Sequence, residues 1–162
     1  MSLSIYFGTD SRPWKLSEIQ FVLETLNDKR SWNVPVKQSL TMINAPVVFY
    51  LSSTKRIQEI FAGTEFATSQ LSVTDRRNKF QYKVYFNLEN WTTIPETSGY
   101  VSLAMYRLYL INHEFGHVLG RGHDECQGAN LPSPVMKQQT LGTGLCYACV
   151  WPALCGDMSV NK

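Results

Sequence analysis

Three histidines and a glutamate lie close together in the second half of the chain, at a spacing that suits a metal ion. All three histidines of the 162-residue sequence fall within eleven residues, as His113, His117 and His123. Residues four apart on a helix are rotated by only about 40° and separated by about 6 Å, so His113 and His117 can aim at one ion. Glu114 lies about 100° around the same helix, where its carboxylate can hold a water beside that ion.

Gly120 explains how the third histidine can reach the same ion. On a continued helix, His123 would lie about 240° beyond His117, on the opposite side. Glycine readily adopts the left-handed conformation that ends a helix and turns the chain sharply. We therefore expect the helix to end near Gly120 and His123 to return as a third ligand.

This ligand set predicts hydrolytic chemistry. Three neutral imidazoles on Zn²⁺ leave one tetrahedral position for water, which is typical of a catalytic site. The ion lowers the pKa of that water toward ~7, and Glu114 is the expected general base that passes its proton to the leaving amine. The sequence thus predicts a zinc-dependent endopeptidase with one catalytic zinc ion. Two alternatives remain: ordinary helix contacts of the histidines, and a catalytically idle zinc-containing module that only binds peptides.

The segment from His113 to His123, followed by Asp124, resembles the extended zinc motif of the metzincin metallopeptidases. A longer set of segments, Asn112–Cys126, Pro134–Thr140 and Trp151–Pro152, resembles a bacterial metzincin-like family of unassigned function. The resemblance implies that Met136 forms the Met-turn, a tight turn whose methionine lies beneath the three metal ligands.

The resemblance also implies the fold and the mode of substrate binding. The expected fold is α+β, an α/β-like sandwich with a twisted mixed sheet, a backing helix, an active-site helix and a small irregular C-terminal subdomain. One catalytic domain would cover residues 1–162, divided at residue 120. An extended peptide or protein substrate would lie antiparallel to an edge strand near Ser69–Thr74, and Gln127–Val135 would form one pocket wall.

Four polar residues near the motif have alternative roles. Asp124 either ties the turn to the tail or forms an ordinary salt bridge. Some metzincins carry a tyrosine two residues after the Met-turn methionine, but here that residue is Gln138, and Tyr147 matches no motif. The oxyanion of the reaction would therefore depend chiefly on the metal, with Gln138, Gln139 or a backbone amide as candidate helpers.

Hydrophobic periodicity supplies the elements that must position these residues. Pro46–Leu51 is almost wholly apolar, which predicts a central strand. Two long helices are predicted: one over Trp14–Asp28, with apolar positions Leu16, Ile19, Val22, Leu23 and Leu26, and one over Tyr100–Leu119, with apolar positions Met105, Leu108, Phe115 and Leu119. A strand is predicted over Ser39–Ile43 and a short helix over Thr54–Phe61. A hairpin is predicted from Leu71 and Val73, through a turn at Asp75–Asn78, to a second strand over Phe80–Asn87.

The four cysteines lie within the last 37 residues, as Cys126, Cys146, Cys149 and Cys155. Such clustering indicates a disulfide-stapled segment, with a structural zinc site or free thiols as alternatives. Of three possible pairings we favour Cys126 with Cys146 and Cys149 with Cys155. Disulfides favour a secreted or otherwise oxidising compartment, although the amino terminus shows no signal peptide.

The composition sets broad limits on the remaining functions. The chain is 44% hydrophobic and 17% charged, with a net charge of +2, which fits one globular domain. The overall charge gives no electrostatic case for nucleic acid or an anionic membrane. Its apolar runs are too short for a membrane span, and we expect a monomer.

Overall fold

A computed structural model describes residues 2–158 as a mixed α/β structure with a five-stranded, mostly parallel sheet. The chain forms two compact units, the first comprising Met1–Leu23 with Pro35–Thr92 and the second Glu24–Val34 with Thr93–Lys162. Among the described residues, no helix combines the length and apolar character needed to cross a membrane. The single catalytic domain divided at residue 120 stays a prediction.

The first unit contains the sheet, in the order β2-β1-β3-β5-β4. The strands are β1 (Leu3–Phe7), β2 (Val36–Gln38), β3 (Val47–Ser52), β4 (Val73–Asp75) and β5 (Tyr82–Asn87). The predicted central strand is confirmed, because β3 pairs in parallel with both β1 and β5 and is almost entirely buried. The hairpin is also confirmed, since β4 pairs antiparallel with β5 at the sheet edge.

The predicted strand over Ser39–Ile43 is wrong. This segment is a loop in which the Ser39 hydroxyl donates to the Thr41 carbonyl at 2.8 Å. Such short side-chain bonds compete with the ladder bonds of a strand. The strand lies just before it, as β2, and pairs in parallel with β1. Neither β2 nor β1, a strand of five residues, was predicted.

Two of the predicted helices in the first half of the chain are present. These are α1 (Leu16–Asn27) and α2 (Thr54–Ile60), and a short α3 (Leu88–Thr92) was not predicted. Leu16, expected on the buried face of α1, is 84% exposed. The buried residue in that first turn is Glu18, a carboxylate that the hydrophobic pattern had no reason to place inside.

Glu18 is buried because its carboxylate has several donors. Arg12 contacts both oxygens at 2.7 and 2.9 Å, the Lys15 amide donates at 2.9 Å and the Trp91 indole at 2.6 Å. Burial alone would raise the pKa of Glu18, but these hydrogen bonds outweigh it and lower the pKa from 4.5 to about 2. Glu18 thereby anchors the aromatic core around Trp14, Phe86 and Trp91.

The second unit contains the long helix α4 (Leu103–Val118). Ser102 caps its first turn by accepting the Met105 amide, so the helix begins three residues later than predicted. Met105 and Leu119 are exposed rather than buried, and the interior face carries Tyr106 and Tyr109 instead. The Tyr106 hydroxyl is hydrogen-bonded to the Thr140 hydroxyl, and the Tyr109 hydroxyl accepts the Gln139 amide. Because these polar groups are paired, tyrosines can occupy buried positions of the helix.

The structure confirms both that the cysteines form disulfides and that they pair as predicted. Cys126 is bonded to Cys146 and Cys149 to Cys155, with Cα atoms 5.8 Å apart in each pair. All four cysteines are therefore paired, so no structural zinc site forms from them.

We expect Glu18→Gln to lower the free energy of unfolding at pH 7 by about 2 kcal/mol, because one acceptor becomes a donor facing buried donors. The folded-state pKa of Glu18 lies below its ordinary 4.5, so its stabilisation is complete above about pH 4.5 and is lost as the pH falls toward 2. Urea unfolding across this range should show the difference between the two proteins shrinking. Glu65→Gln, at an exposed position outside α1, is the control, and equal losses in both variants would contradict the assignment.

Candidate metal centre

The last turn of α4 ends in a helix-terminating turn of the kind expected at Gly120. The Gly120 amide donates to the His117 carbonyl at 3.0 Å, and the Arg121 amide donates to the Gly116 carbonyl at 2.9 Å. This pair of bonds is the Schellman motif. Gly120 has φ = 92°, a left-handed conformation that disfavours other residues. The chain therefore leaves the helix axis immediately after the second histidine.

The turn brings all three histidines together. The Nε2 atom of His117 lies 3.2 Å from Nε2 of His113 and 3.2 Å from Nε2 of His123. The three potential ligand atoms lie within 4.8 Å of one another. Two nitrogens bound roughly 2.0–2.1 Å from a tetrahedral zinc ion would be about 3.3 Å apart. The donor set therefore fits a single metal ion.

Hydrogen bonds on the other ring nitrogens fix which atom can coordinate. His113 Nδ1 lies 2.7 Å from the Val135 carbonyl, and His117 Nδ1 lies 2.8 Å from the Arg121 carbonyl. A carbonyl oxygen only accepts, so each Nδ1 carries the hydrogen. In the neutral imidazoles this leaves a lone pair on each Nε2, directed at the shared position.

The surroundings favour the neutral form of His113 and His123. Burial, together with neighbouring His117, lowers the pKa of His113 to about 3. Burial and His117 also lower the pKa of His123. Both rings are therefore in the form that coordinates a metal at pH 7.

Met136 packs against α4 at Gly116, a residue that lies between His113 and His117 in the sequence. The turn that carries it is closed by the Lys137 amide, which donates to the Pro134 carbonyl at 3.1 Å. A Cβ atom on Gly116 would overlap the Met136 sulfur and would lie 2.9 Å from Cζ2 of Trp32. Gly116 is thus the residue that lets the methionine approach the helix between two predicted ligands.

Asp157 also holds this turn, a role that no local pattern in the sequence indicates. Its buried carboxylate accepts the Val135 amide at 2.9 Å and the Met136 amide at 3.2 Å. The Val135 carbonyl in turn accepts from His113. A continuous set of hydrogen bonds therefore runs from the tail of the chain to the first histidine.

Glu114 is buried in α4, next to His113. Its charge acts on the tyrosines of the same helix: burial raises the pKa of Tyr106 to about 12, and the carboxylate adds to the increase. For Tyr109, burial and the neighbouring Tyr106 raise the pKa, and Glu114 again contributes. The buried carboxylate thus lies within electrostatic range of the tyrosine cluster that lines α4.

Of the candidate oxyanion helpers and the nearby tyrosine, Gln139 is buried and hydrogen-bonded, whereas Gln138 and Tyr147 are accessible to solvent. Gln139 is fully buried: its Nε2 donates to the Pro134 and Cys149 carbonyls, and its Oε1 accepts from the Tyr100 hydroxyl at 2.6 Å. Its amide thus holds the Met136 turn and is fully engaged. Gln138 is partly exposed, and the Tyr147 side chain is 56% exposed.

The segments on either side of the Met136 turn are joined through the backbone. The Asp124 amide donates to the Met136 carbonyl at 3.0 Å, which ties the third histidine's segment to the turn. Within Gln127–Val135, Pro132 forms a parallel bridge with Tyr147. Ser133 donates its amide to the Tyr147 carbonyl at 2.9 Å.

Comparison with known proteins places the chain in a family. Residues 6–146 match the family described as "Protein of unknown function (DUF3152)". The chain belongs to this family. Neither the curated proteins nor the solved structures contain a match. The matched range includes the three histidines, Glu114 and Met136, whereas Asp157 lies beyond it.

Gly116→Ala should lower the free energy of unfolding by about 1–3 kcal/mol, because the new methyl overlaps buried Met136 and Trp32. Gly122→Ala is a matched control, since a Cβ there meets nothing within 4 Å. Urea denaturation of the zinc-free proteins measures both effects. Equal stability of the two variants would show that Met136 does not pack tightly against the helix.

Proposed function

We propose that this protein is a zinc-dependent endopeptidase of the metzincin type. The observation that carries the proposal is the convergence of three Nε2 atoms, two of them 3.2 Å from the third, with the Nδ1 hydrogens of His113 and His117 engaged by carbonyls. Lone pairs at this separation repel one another, and a shared cation converts the repulsion into coordination. Nothing else in the described chain brings three metal-binding side chains together in this way.

The donor types favour zinc among biological cations. Calcium and magnesium prefer oxygen ligands, whereas imidazole nitrogens suit zinc and neighbouring transition metals. Three histidines without a carboxylate ligand correspond to a zinc site that keeps an open position. His113, His117 and His123 would hold the ion, and their carbonyl partners would orient two of the rings.

Glu114 supplies the group that distinguishes catalysis from binding. Zinc, when bound, supplies Lewis acidity that lowers the pKa of water and polarises a peptide carbonyl. The Glu114 carboxylate would accept the proton of the attacking water and return it to the leaving amine. A module that only captures peptides has no need of a base adjacent to its first ligand.

The Met136 turn supports the metzincin assignment in particular. The contact of Met136 with Gly116 places the methionine against the backbone between the first two predicted ligands. Asp157 and Gln139 fix the turn through buried hydrogen bonds. The turn would serve as a rigid base under the ligand set and keep the rings aligned as substrate binds and leaves.

His117→Ala should abolish stoichiometric zinc, because the two remaining imidazoles form a poor site. Metal analysis of the purified, dialysed proteins should give one equivalent for the wild type and well under half for the variant. Glu96→Gln, an exposed change outside the site, should retain the full equivalent. A full equivalent of zinc in His117→Ala would contradict the ligand set.

Glu114→Gln should retain zinc and lose peptide hydrolysis by about 10²–10⁴-fold, because the amide cannot accept a proton. Digestion of an unbiased peptide library, with a chelator-treated sample as blank and Glu96→Gln as matched control, measures the loss. Cleavage by Glu114→Gln at the wild-type rate would eliminate the proposed base. A zinc-loaded wild type that cleaves no peptide in the library would instead support the idle binding module.

A further inference from the structure

Two loops of the first unit expose large apolar side chains beside basic ones. Leu40 is 88% exposed, Ile43 78% and Met42 45%, and Phe80 on the second loop is 92% exposed. The amide of Gln81 joins the loops, because it donates to the Met42 and Ala45 carbonyls at 3.0 Å each. We call Leu40, Met42, Ile43 and Phe80 the apolar loop surface.

The two segments that carry the apolar loop surface contain charged residues of one sign. Residues 35–47 and 76–83 contain five basic residues and no acidic one, although the whole chain is nearly neutral. Lys37 and Lys79 are exposed, and Arg76 lies over the Tyr82 ring at 5.0 Å. Asp75, just before the second segment, is bound by Arg77 at 2.8 Å. The local balance is therefore positive where the apolar side chains are exposed.

Several backbone groups of the two loops are hydrogen-bonded by side chains of the same loops. Ser39 and Thr41 exchange hydrogen bonds in the first loop, and the Asn78 side chain accepts the Phe80 amide at 2.9 Å in the second. The side-chain amide of Gln81, at the second loop, donates to the Met42 and Ala45 carbonyls of the first loop. These loops can enter an interfacial environment poor in water without leaving those groups unpaired.

We propose that the apolar loop surface binds the surface of an anionic lipid bilayer. Exposed apolar side chains enter the headgroup boundary, and flanking lysines are attracted to anionic lipids, so the two effects add. Charge complementarity favours an anionic bilayer over a neutral one. The proposal concerns the first unit alone and is independent of the zinc chemistry.

Co-sedimentation with vesicles tests this proposal on the intact chain. We expect binding to vesicles of phosphatidylcholine and phosphatidylglycerol in equal parts, and little binding to phosphatidylcholine alone. Ile43→Ser with Phe80→Ser should weaken the binding at least about tenfold, since two inserted side chains are lost. Leu16→Ser with Leu154→Ser is the matched control, because both leucines are exposed elsewhere, and it should bind like the wild type.

The charge requirement is tested with Lys37→Gln and Lys79→Gln. Together these changes should weaken binding to anionic vesicles severalfold, and added salt should narrow the difference from the wild type. No sedimentation of the wild type with anionic vesicles, or equal binding to neutral ones, would overturn the proposal. A wild-type dimer in size-exclusion chromatography that Ile43→Ser with Phe80→Ser dissociates would also overturn it, in favour of a second copy of the chain.

Discussion

Repulsion among imidazole lone pairs is the constraint on which the second unit depends. His113 and His117 each direct an Nε2 lone pair at a shared position, because their Nδ1 hydrogens are engaged by the Val135 and Arg121 carbonyls. The protein must hold these rings against one another, and it does so with the backbone carbonyls of Arg121 and Val135, both of which follow the turn at Gly120. A cation at the shared position would turn this arrangement from a cost into a source of stability, since ligand binding to the folded state stabilises it.

The parts of the second unit form one mechanical support for those rings. Gly116 lets Met136 approach α4, and Asp157 holds the Met136 turn through two backbone amides. Because the disulfide between Cys149 and Cys155 closes just before Asp157, the tail that supplies this carboxylate is covalently restrained. The irregular C-terminal segment is therefore ordered by specific polar bonds and disulfides, in place of a regular hydrophobic layer.

Local rules account for what the sequence predicted well. The spacing of His113 and His117, and a glycine that ends the helix, depend only on helix geometry, and the structure follows them closely. The central strand β3 was predictable because both of its faces are buried, which leaves an uninterrupted apolar run. The clustering of the cysteines predicted disulfides, and both of the favoured pairs are present.

Long-range partners account for what the sequence did not predict. Gly116 and Asp157 act through contacts with Met136 and its turn, and no local pattern distinguishes them from other glycines and aspartates. The strand β1 is short and depends on β2 and β3 for its hydrogen bonds. The loop after β2 was predicted to be a strand because its apolar residues alternate with polar ones. In the structure the Ser39 and Thr41 hydroxyls donate to backbone carbonyls two residues further on, so the chain turns and those apolar residues are exposed.

The central claim is that three imidazole nitrogens bind one ion. A crystal structure of the zinc-loaded protein, with anomalous scattering recorded on both sides of the zinc absorption edge, tests it most directly. We predict a single edge-specific peak roughly 2.0–2.1 Å from Nε2 of His113, His117 and His123. A peak bound by fewer than three of these nitrogens, or no peak in a zinc-saturated crystal, would contradict the account.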